Sequence, residues 1–407
     1  MKFDVEKIRQ DFPLLNKFLK GRPYIYFDNA CMSLRPKSVL DAQNEYYQNE
    51  SSCAGRSLHK LSENVNHRVE QTRRLVADFI GAKSEKEIIF TKNATESLNI
   101  VVRGWDFHEG DKVLTTDKEH NSNFVPWLIL QKEKRIVHLT LQSKAQNIFD
   151  LDEFKKIMEQ ERPTMVSMVL TSNLDGVSIP AREIIKISHQ SGALVMLDAA
   201  QAVPHMKIDV SAWDVDFLAF SAHKILAPTG LGILYGKASL LERLRPLVVG
   251  GGAMKNVTYD NYEFLSAPQK FEAGLQNYSA IYGFGEAIIY LEEIGFDNIQ
   301  KQELELNQFI TNAISNFREV KLIGPNDPAL RSGIVSFYVD GFDVREIALM
   351  LDQISNIAIR AGQHCVHAWF NRWHILGSAR ASLYFYNTIE EAKIFVETLE
   401  KVLKLKH

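Results

Sequence analysis

Short apolar runs recur through the middle of this 407-residue chain, with gaps of helical length between them. Parallel neighbouring strands need a crossover of about a dozen residues or more, usually a helix. The repeated alternation therefore predicts an α/β protein with a largely parallel sheet covered by helices. The six runs occupy residues 87–90, 112–115, 135–139, 164–169, 193–197 and 217–220.

A seventh apolar run, at 230–236, follows too closely for a helix to intervene, so we expect it to return as an antiparallel strand. A different pattern begins near residue 278, with a long helix, a strand-like run at 333–338 and a C-terminal helix. We predict a large α/β domain at 25–277, with a mostly parallel seven-stranded sheet. The segments 1–24 plus 278–407 are expected to form a smaller α+β domain.

Charge and composition narrow the classes of partner. A formal net charge of −3 gives no electrostatic reason to expect nucleic acid or an acidic membrane surface. No apolar run approaches the ~18 residues that a membrane-spanning helix needs, and the N-terminus lacks an apolar signal core, so a cytoplasmic location is expected. The three cysteines contain no CxxC pair, which argues against a disulfide framework.

Two charged residues stand where strands of this sheet are predicted to end. Lys224 follows the run at 217–220, and Asp198 closes the run at 193–197. Desolvation favours a neutral, nucleophilic lysine amine, which can form a Schiff base with an aldehyde. Pyridoxal 5'-phosphate requires such a lysine and a carboxylate that keeps its ring nitrogen protonated. Taken singly, each residue also fits a solvated loop lysine or a helix N-cap.

The segment 88–104 predicts a strand, a short loop and a helix that begins near Asn93, Ala94 and Thr95. The amide groups at such a helix start can bind phosphate, although an ordinary capped helix has the same sequence signature. Ser221 and His223, which flank Lys224, add possible phosphate donors. Loops that follow parallel strands gather at the carboxyl edge of the sheet, where ligands bind.

Two more polar residues follow predicted strands. His120 could stack its flat imidazole on a pyridine ring, although a lone loop histidine is usually only a surface residue. Gln201 lies three residues after Asp198, a spacing that lets both face one site, and could bind the phenolic oxygen of the cofactor.

Cys365 lies between His364 and His367 in the segment 357–370. It is a candidate nucleophile, a buried filler or a metal ligand, and the spacing is unlike that of the usual zinc sites. Arg360 and Arg380 could each hold a substrate carboxylate in a bidentate fork, or make a structural ion pair.

Ten motifs occur along the chain in one order: YFDNA, TKNATESLN, EHNSNFVPW, SNLDGVSIP, DAAQAVPH, FSAHK, APTGLGILYGK, FEAG, RAGQHC and ARASLYFYNT. In this order the chain resembles the class V, fold-type I pyridoxal-phosphate enzymes, and most closely the SufS-type (group II) cysteine desulfurases. The resemblance covers nearly the whole chain and implies a fold-type I PLP-dependent transferase.

The resemblance also implies roles by position. Lys224 would bind the cofactor aldehyde, Asp198 would pair with its ring nitrogen, His120 would stack on the ring and Gln201 would contact the phenolic oxygen. Cys365 falls at the nucleophilic position. The other implied positions are Thr95, Ala94, Ser221 and His223 for the phosphate and Arg380, Arg360, Asn173 and Arg56 for the substrate.

The implied reaction converts L-cysteine to L-alanine and leaves a persulfide on Cys365, whose sulfur passes to an acceptor protein for iron-sulfur cluster assembly or another thiolation route. A homodimer is implied, and no resident metal. The alternatives are another class V reaction, such as a selenocysteine lyase, a cysteine-derivative C–S lyase or an epimerase, and a cofactor-free structural or metal-binding protein.

The chain departs from the pattern of these enzymes at several positions. Leu275 replaces a threonine that reaches the cofactor phosphate across the dimer, which leaves two alternatives: Gln276 or another donor substitutes, or the phosphate is held by fewer contacts. At the substrate entrance, Gly55 replaces a histidine and Cys53 an asparagine, and Asn121 replaces a second histidine near His120.

Overall fold

The computed structural model of the protein describes residues 3–19 and 21–405. Its largest element is a seven-stranded sheet with the strand order β1-β7-β6-β5-β4-β2-β3. All neighbours are parallel except β7, which is antiparallel to both β1 and β6. The predictions of a mostly parallel sheet and of an antiparallel seventh strand are confirmed. The strands are β1 (Ile88–Thr91), β2 (Lys112–Thr116), β3 (Val137–Leu141), β4 (Met165–Val169), β5 (Leu194–Asp198), β6 (Phe217–Ser221) and β7 (Gly232–Gly236).

Helices cover both faces of this sheet, which explains why its strands are continuous apolar runs. Every residue of β4, β6 and β7 is buried. Successive side chains point to opposite faces. Leu218 and Phe220 accordingly join the buried cluster on one face, while Phe217 and Ala219 join the cluster on the other.

The connecting helices occupy the gaps that the sequence predicts between the strands. No helix among the described residues is long and apolar enough to cross a membrane. The helices are α1 (Val5–Arg9), α2 (Lys37–Glu45), α3 (Lys60–Ile80), α4 (Ala94–Gly104), α5 (Asn121–Lys134), α6 (Leu151–Glu161), α7 (Ala181–Gln190), α8 (Val210–Trp213), α9 (Ala238–Arg243), α10 (Tyr278–Ile294), α11 (Phe296–Ile314), α12 (Val344–Ser355), α13 (His367–Trp373) and α14 (Ile389–Lys404).

A second, antiparallel sheet lies in the C-terminal part, with the order β8-β9-β11-β10. Helices α11, α12 and α14 contribute side chains to its buried cluster, as an α+β unit requires. Its strands are β8 (Val320–Ile323), β9 (Ile334–Val339), β10 (Arg360–Gly362) and β11 (Ser378–Ser382).

Three short strand pairs complete the structure. Ile25–Tyr26 pairs in parallel with Ile357–Ala358, Phe18–Leu19 pairs with Arg22–Pro23, and the segment after the glycine run 250–252 forms a hairpin. The hairpin strands are Met254–Val257 and Tyr262–Phe264.

The two main buried clusters share segments across the domain limits suggested by the sequence. Helix α10 packs with the large sheet, whereas Ile25 and Phe27 pack with the small one. The division into 25–277 and 1–24 plus 278–407 therefore stays a prediction. Residues 1, 2, 20, 406 and 407 of the smaller unit lie outside the described residues.

Candidate active site

A cavity of about 250 Å³ lies at the carboxyl edge of the large sheet, and residues from the small sheet complete its wall. Open α/β sheets bind ligands at this edge. Every residue that the sequence analysis assigned to the site, except Arg56, lines the cavity. They are Ala94, Thr95, His120, Asn173, Asp198, Gln201, Ser221, His223, Lys224, Arg360, Cys365 and Arg380.

The lysine and the carboxylate reach the cavity from neighbouring strands. Lys224 closes a short 3-10 turn directly after β6, and Asp198 is the last residue of the adjacent β5. Burial lowers the pKa of Lys224 to about 8, and the Asp198 carboxylate opposes this shift. Burial likewise raises the pKa of Asp198, against a hydrogen bond from the Ala200 amide and the charge of Lys224. A neutral amine is thus accessible near pH 8 beside a buried acid.

His120 caps the start of α5 and faces the cavity. Its Nδ1 lies 3.1 Å from the Ser122 amide, from which it accepts a hydrogen bond, and 3.0 Å from the Ser122 hydroxyl. Burial and then the cations Lys224 and Arg360 lower the pKa of His120 to about 3. The imidazole is therefore neutral at ordinary pH, the form suited to stacking against a cationic aromatic ring.

The start of α4 forms another wall, beside the residues around Lys224. The Ala94 amide donates to Ser221 Oγ at 2.8 Å, and the Thr95 and Ser122 hydroxyls are 2.7 Å apart. A Cβ on Gly232 would lie 2.5 Å from the Asn93 backbone, so only glycine lets β7 pass so close to this helix. The cluster of hydroxyl and amide donors at a helix start fits an anion such as phosphate.

Two arginines form the wall that comes from the small sheet. Arg380 is 1% exposed, and its Nη1 donates to the Asn173 carbonyl at 2.8 Å. Its Nη2 lies 3.6 Å from Asp28 Oδ1. Burial lowers the pKa of Arg380 to about 10, and Asp28 opposes this shift. Arg360 donates to Cys31 Sγ at 3.1 Å.

Cys365 occupies a tight turn between β10 and α13. His364 and Cys365 both have positive φ, 49° and 60°, a backbone conformation that is uncommon outside glycine. Hydrogen bonds hold the turn on both sides. The Asn121 amide donates to the Cys365 carbonyl at 2.7 Å, and Asn173 Nδ2 donates to the His364 carbonyl at 2.8 Å. The partly buried thiol is therefore presented by a short loop that is fixed to Asn121 and Asn173.

The two histidines beside Cys365 bind other groups. His364 Nε2 lies 2.8 Å from Ser378 Oγ, and His367 Nδ1 lies 2.8 Å from Asn121 Nδ2. Burial, followed by the charges of Arg380 and Arg360, lowers the pKa of His364 to about 2. The rings therefore brace the loop that carries Cys365.

Arg56 lies elsewhere. It is exposed, and its Nη2 donates to the Gly274 carbonyl at 2.8 Å, outside the cavity. Its assignment to substrate binding stays a prediction. The cavity also contains residues that sequence reasoning missed, namely Ala30, Cys31, Ser122, Val169 and Ala200. The one sequence signal for Cys31 is that it follows a strand-like run, but the sequence does not show that this run pairs next to the cavity.

Comparison with known proteins places this arrangement in a family. The family model for Aminotransferase class-V matches residues 25–395. The chain belongs to this family.

Three relatives span nearly the whole of this class-V chain. A probable cysteine desulfurase of Synechocystis is 39% identical over 98% of this chain and 95% of the relative. The apo structure of a cysteine desulfurase from Thermococcus onnurineus is 36% identical, covers 98% of both chains and has a TM-score of 0.93. A cysteine desulfurase structure from Escherichia coli is 28% identical, covers 100% of both chains and has a TM-score of 0.90. The match confirms the fold-type I architecture.

Pyridoxal 5'-phosphate is the cofactor of this class-V chain, and the cavity fits it. Gln201 is 2% exposed, and its Oε1 has no hydrogen-bond partner among residues 3–19 and 21–405. Asp198 provides a buried carboxylate for a ring cation, Lys224 an amine, and the wall at the start of α4 a set of phosphate donors. These three groups match the ring nitrogen, the aldehyde and the phosphate of the cofactor.

The departure at Leu275 is visible in the structure. Leu275 is 61% exposed and outside the cavity. Gln276, the expected substitute donor, directs its Nε2 to the Glu272 carbonyl at 2.9 Å. Within one chain, therefore, neither residue donates to the phosphate wall.

The metal alternative concerns His364, Cys365 and His367. The described part of the chain contains no group of three or more His, Cys, Asp or Glu side chains that could hold a metal ion. The hydrogen bonds of His364 and His367 described above give these rings other partners.

Proposed function

We propose that this cavity carries out the cysteine desulfurase reaction, in which L-cysteine becomes L-alanine and its sulfur stays on Cys365 as a persulfide. The observation that carries the proposal is the meeting of Lys224, Asp198 and Cys365 in one cavity with the arginine pair. Lysine and aspartate alone would suit any reaction of this cofactor. The Cys365 thiol in the same cavity favours sulfur chemistry.

Each residue has a distinct task. Bound pyridoxal phosphate supplies an electron sink that weakens the bonds at the α-carbon of an amino acid. Lys224, with its pKa lowered to about 8, removes and returns the proton at that carbon. Arg380 and Arg360 orient the substrate carboxylate in the geometry of a guanidinium fork. Neutral His120 fixes the ring plane.

The sulfur step requires no outside oxidant. The Cys365 thiolate attacks the substrate sulfur, the new S–S bond forms, and the S–Cβ bond breaks with its electron pair going to carbon. Protonation of that carbon completes alanine. The sulfur is oxidised to the sulfane level while the carbon is reduced, so cysteine and thiol give alanine and persulfide.

Alanine and sulfide formation from L-cysteine with a reductant tests the proposal. Wild type is expected to form both products, while Cys365→Ala is expected to keep the cofactor absorbance and lose the activity. A Cys365→Ala protein with full desulfurase activity would instead indicate a lyase that needs no persulfide. Cysteine sulfinate and selenocysteine, assayed beside L-cysteine, separate this enzyme from the other class V reactions.

We also propose that two copies of this chain form a homodimer. Leu58 and Leu275 are 95% and 61% exposed, and Arg56 bonds the loop that carries Leu275. Contiguous exposed apolar surface is typical of contact sites, and the Arg56 hydrogen bond brings the segments of these two leucines together. Sedimentation equilibrium of the holoprotein tests this, and a monomeric mass at micromolar concentration would contradict it.

A protein that accepts the persulfide sulfur is the remaining proposed partner. Cys365 is partly exposed on a short turn. The thiolate of an acceptor protein therefore has to come close to the surface of the enzyme to reach its sulfur. Exchange of sulfur proceeds by thiolate attack. Mass spectrometry of a purified candidate acceptor after incubation with enzyme and L-cysteine should find an added sulfur that is missing with Cys365→Ala.

A further inference from the structure

A second thiol borders the same cavity. Cys31 is partly buried and follows Ala30, whose carbonyl accepts a hydrogen bond from Gln201 Nε2 at 2.6 Å. Its own Sγ accepts from Arg360 at 3.1 Å. Cys31 therefore lies between the residue assigned to the cofactor ring and an arginine assigned to the substrate carboxylate.

The surroundings of Cys31 are strongly cationic. Lys224, Arg360 and Arg380 line the cavity with it. Arg380 is 1% exposed, and its Nε has no hydrogen-bond partner among the described residues, an independent sign that this wall awaits an anionic ligand. Thiols react as thiolates, and reactive cysteines occupy electropositive, partly exposed sites of this kind.

Three hydrogen bonds and one pair of opposed strand residues link the segments that carry the two cysteines. Arg360, which holds Cys31, lies directly opposite Arg380 across β10 and β11. Arg380 donates to the Asn173 carbonyl, and Asn173 donates to the carbonyl of the residue before Cys365. Cys31 and Cys365 both line the cavity together with the two arginines assigned to the substrate.

We propose that Cys31 is a second sulfur-carrying residue that takes the sulfane sulfur from Cys365, a role that rests on the proposed desulfurase function. After alanine leaves, the Cys31 thiolate attacks the outer sulfur of the Cys365 persulfide. A new S–S bond forms on Cys31, the S–S bond on Cys365 breaks, and Cys365 leaves as a thiolate. The exchange is redox-neutral and needs no further reagent.

The exchange raises the number of sulfane sulfurs that one chain can store. The outer sulfur lies about 2 Å beyond Cys365 Sγ, which extends its reach into the space vacated by alanine. The regenerated Cys365 thiolate can then react with a second L-cysteine. Without a reductant or acceptor, each chain stores two sulfane sulfurs, and only then does alanine formation stop.

The burst of alanine from holoprotein and L-cysteine without reductant tests this proposal. Wild type is expected to release about two alanines per chain, and both Cys31→Ser and Cys31→Ala about one, since each thiol stores one sulfur. Peptide mass spectrometry after alkylation should find the added sulfur on Cys31 and Cys365. The matched control is Ser191→Ala, a change of similar size at an exposed residue outside the cavity, which should keep the burst of two.

The possible results distinguish failure of the sulfur exchange from failure of the desulfurase function. One alanine per wild-type chain with an unmodified Cys31 peptide overturns the exchange while leaving the desulfurase function intact. A Cys31–Cys365 disulfide with released sulfide also overturns it, because attack then occurs at the inner sulfur. Absence of any Cys365-dependent burst contradicts the desulfurase function itself. Cofactor absorbance of the two Cys31 variants shows whether each is folded.

Discussion

Arg360 and Arg380 lie directly opposite each other across the antiparallel strands β10 and β11, and both line the cavity. The charge of Arg360 contributes to the lowered pKa of Arg380, after the larger effect of burial. The Asp28 carboxylate lies near Arg380, with 3.6 Å between Asp28 Oδ1 and Arg380 Nη2. Two adjacent cations with one weakly placed carboxylate favour a second anion, which in the proposed function is the substrate carboxylate.

Replacing Arg380 with lysine should therefore raise KM for L-cysteine. Lysine keeps the charge but loses the planar fork, and a lost charge-assisted contact costs about 1.5 to 3 kcal/mol, or about 10- to 100-fold in kcat/KM. Steady-state alanine formation measures the effect. Arg372→Lys, on the exposed face of α13, is the control and should leave kcat/KM unchanged. Equal KM values for wild type and Arg380→Lys would remove Arg380 from substrate binding.

The lowered pKa of Lys224 predicts the pH dependence of cofactor recombination. Only the neutral amine attacks an aldehyde, so the rate should rise about tenfold per pH unit and level off near pH 8. An ordinary lysine would keep the rate rising towards pH 10.5. Stopped-flow absorbance of apoprotein mixed with pyridoxal phosphate gives the profile, and Lys224→Ala should never develop the bound-cofactor band.

Asp198→Asn should stabilise the apoprotein and weaken cofactor binding. Burial raises the pKa of Asp198 in the folded state, so folded protein binds more protons than unfolded protein from pH 3.8 upwards. Stability is therefore lost as pH rises through the folded pKa, and asparagine avoids that loss. Urea unfolding of both apoproteins at pH 7 and pH 4 checks the sign. The gain in the free energy of unfolding from Asp198→Asn should be smaller at pH 4 than at pH 7. A variant apoprotein that is less stable than wild type at pH 7 would contradict the argument.

The order of the elements could be predicted from periodicity, because buried parallel strands are apolar on both faces and leave long gaps for helices. The polar residues at the strand ends then indicated Lys224, Asp198 and His120, since loops at one sheet edge must converge. Cys31 escaped notice because its strand, Ile25–Tyr26, pairs with the C-terminal Ile357–Ala358. Periodicity in one segment carries no information about such a long-range pairing.

The buried ion pair between Arg73 and Glu272 should control stability. Arg73 donates to both carboxylate oxygens of Glu272 at 2.7 and 3.0 Å, and the side chains are 2% and 8% exposed. Glu272→Gln leaves the Arg73 charge without that partner and should cost about 3 kcal/mol in urea unfolding. Arg68 and Glu286 form a half-exposed pair, so Glu286→Gln should cost less than about 1 kcal/mol. Equal losses would refute the distinction.

Leu275→Thr should strengthen cofactor binding in the proposed dimer. The loop presents Leu275 to solvent at 61% exposure, so a smaller polar side chain costs no burial within the chain. In the enzymes that this chain resembles, a threonine here reaches the phosphate of the partner subunit. A restored hydrogen bond to phosphate is worth about 1.5 kcal/mol or more, which corresponds to about a tenfold lower Kd.

Equilibrium titration of apoprotein with pyridoxal phosphate measures that Kd for wild type, Leu275→Thr and Leu275→Val. Valine has the shape of threonine but lacks the hydroxyl, so it should bind the cofactor as wild type does. An equal gain for both variants would assign the effect to the loss of an exposed leucine. An unchanged Kd for threonine in a protein shown to be dimeric would mean that this loop does not reach the phosphate, and that the donors at the start of α4 and beside Lys224 hold it without help from the partner.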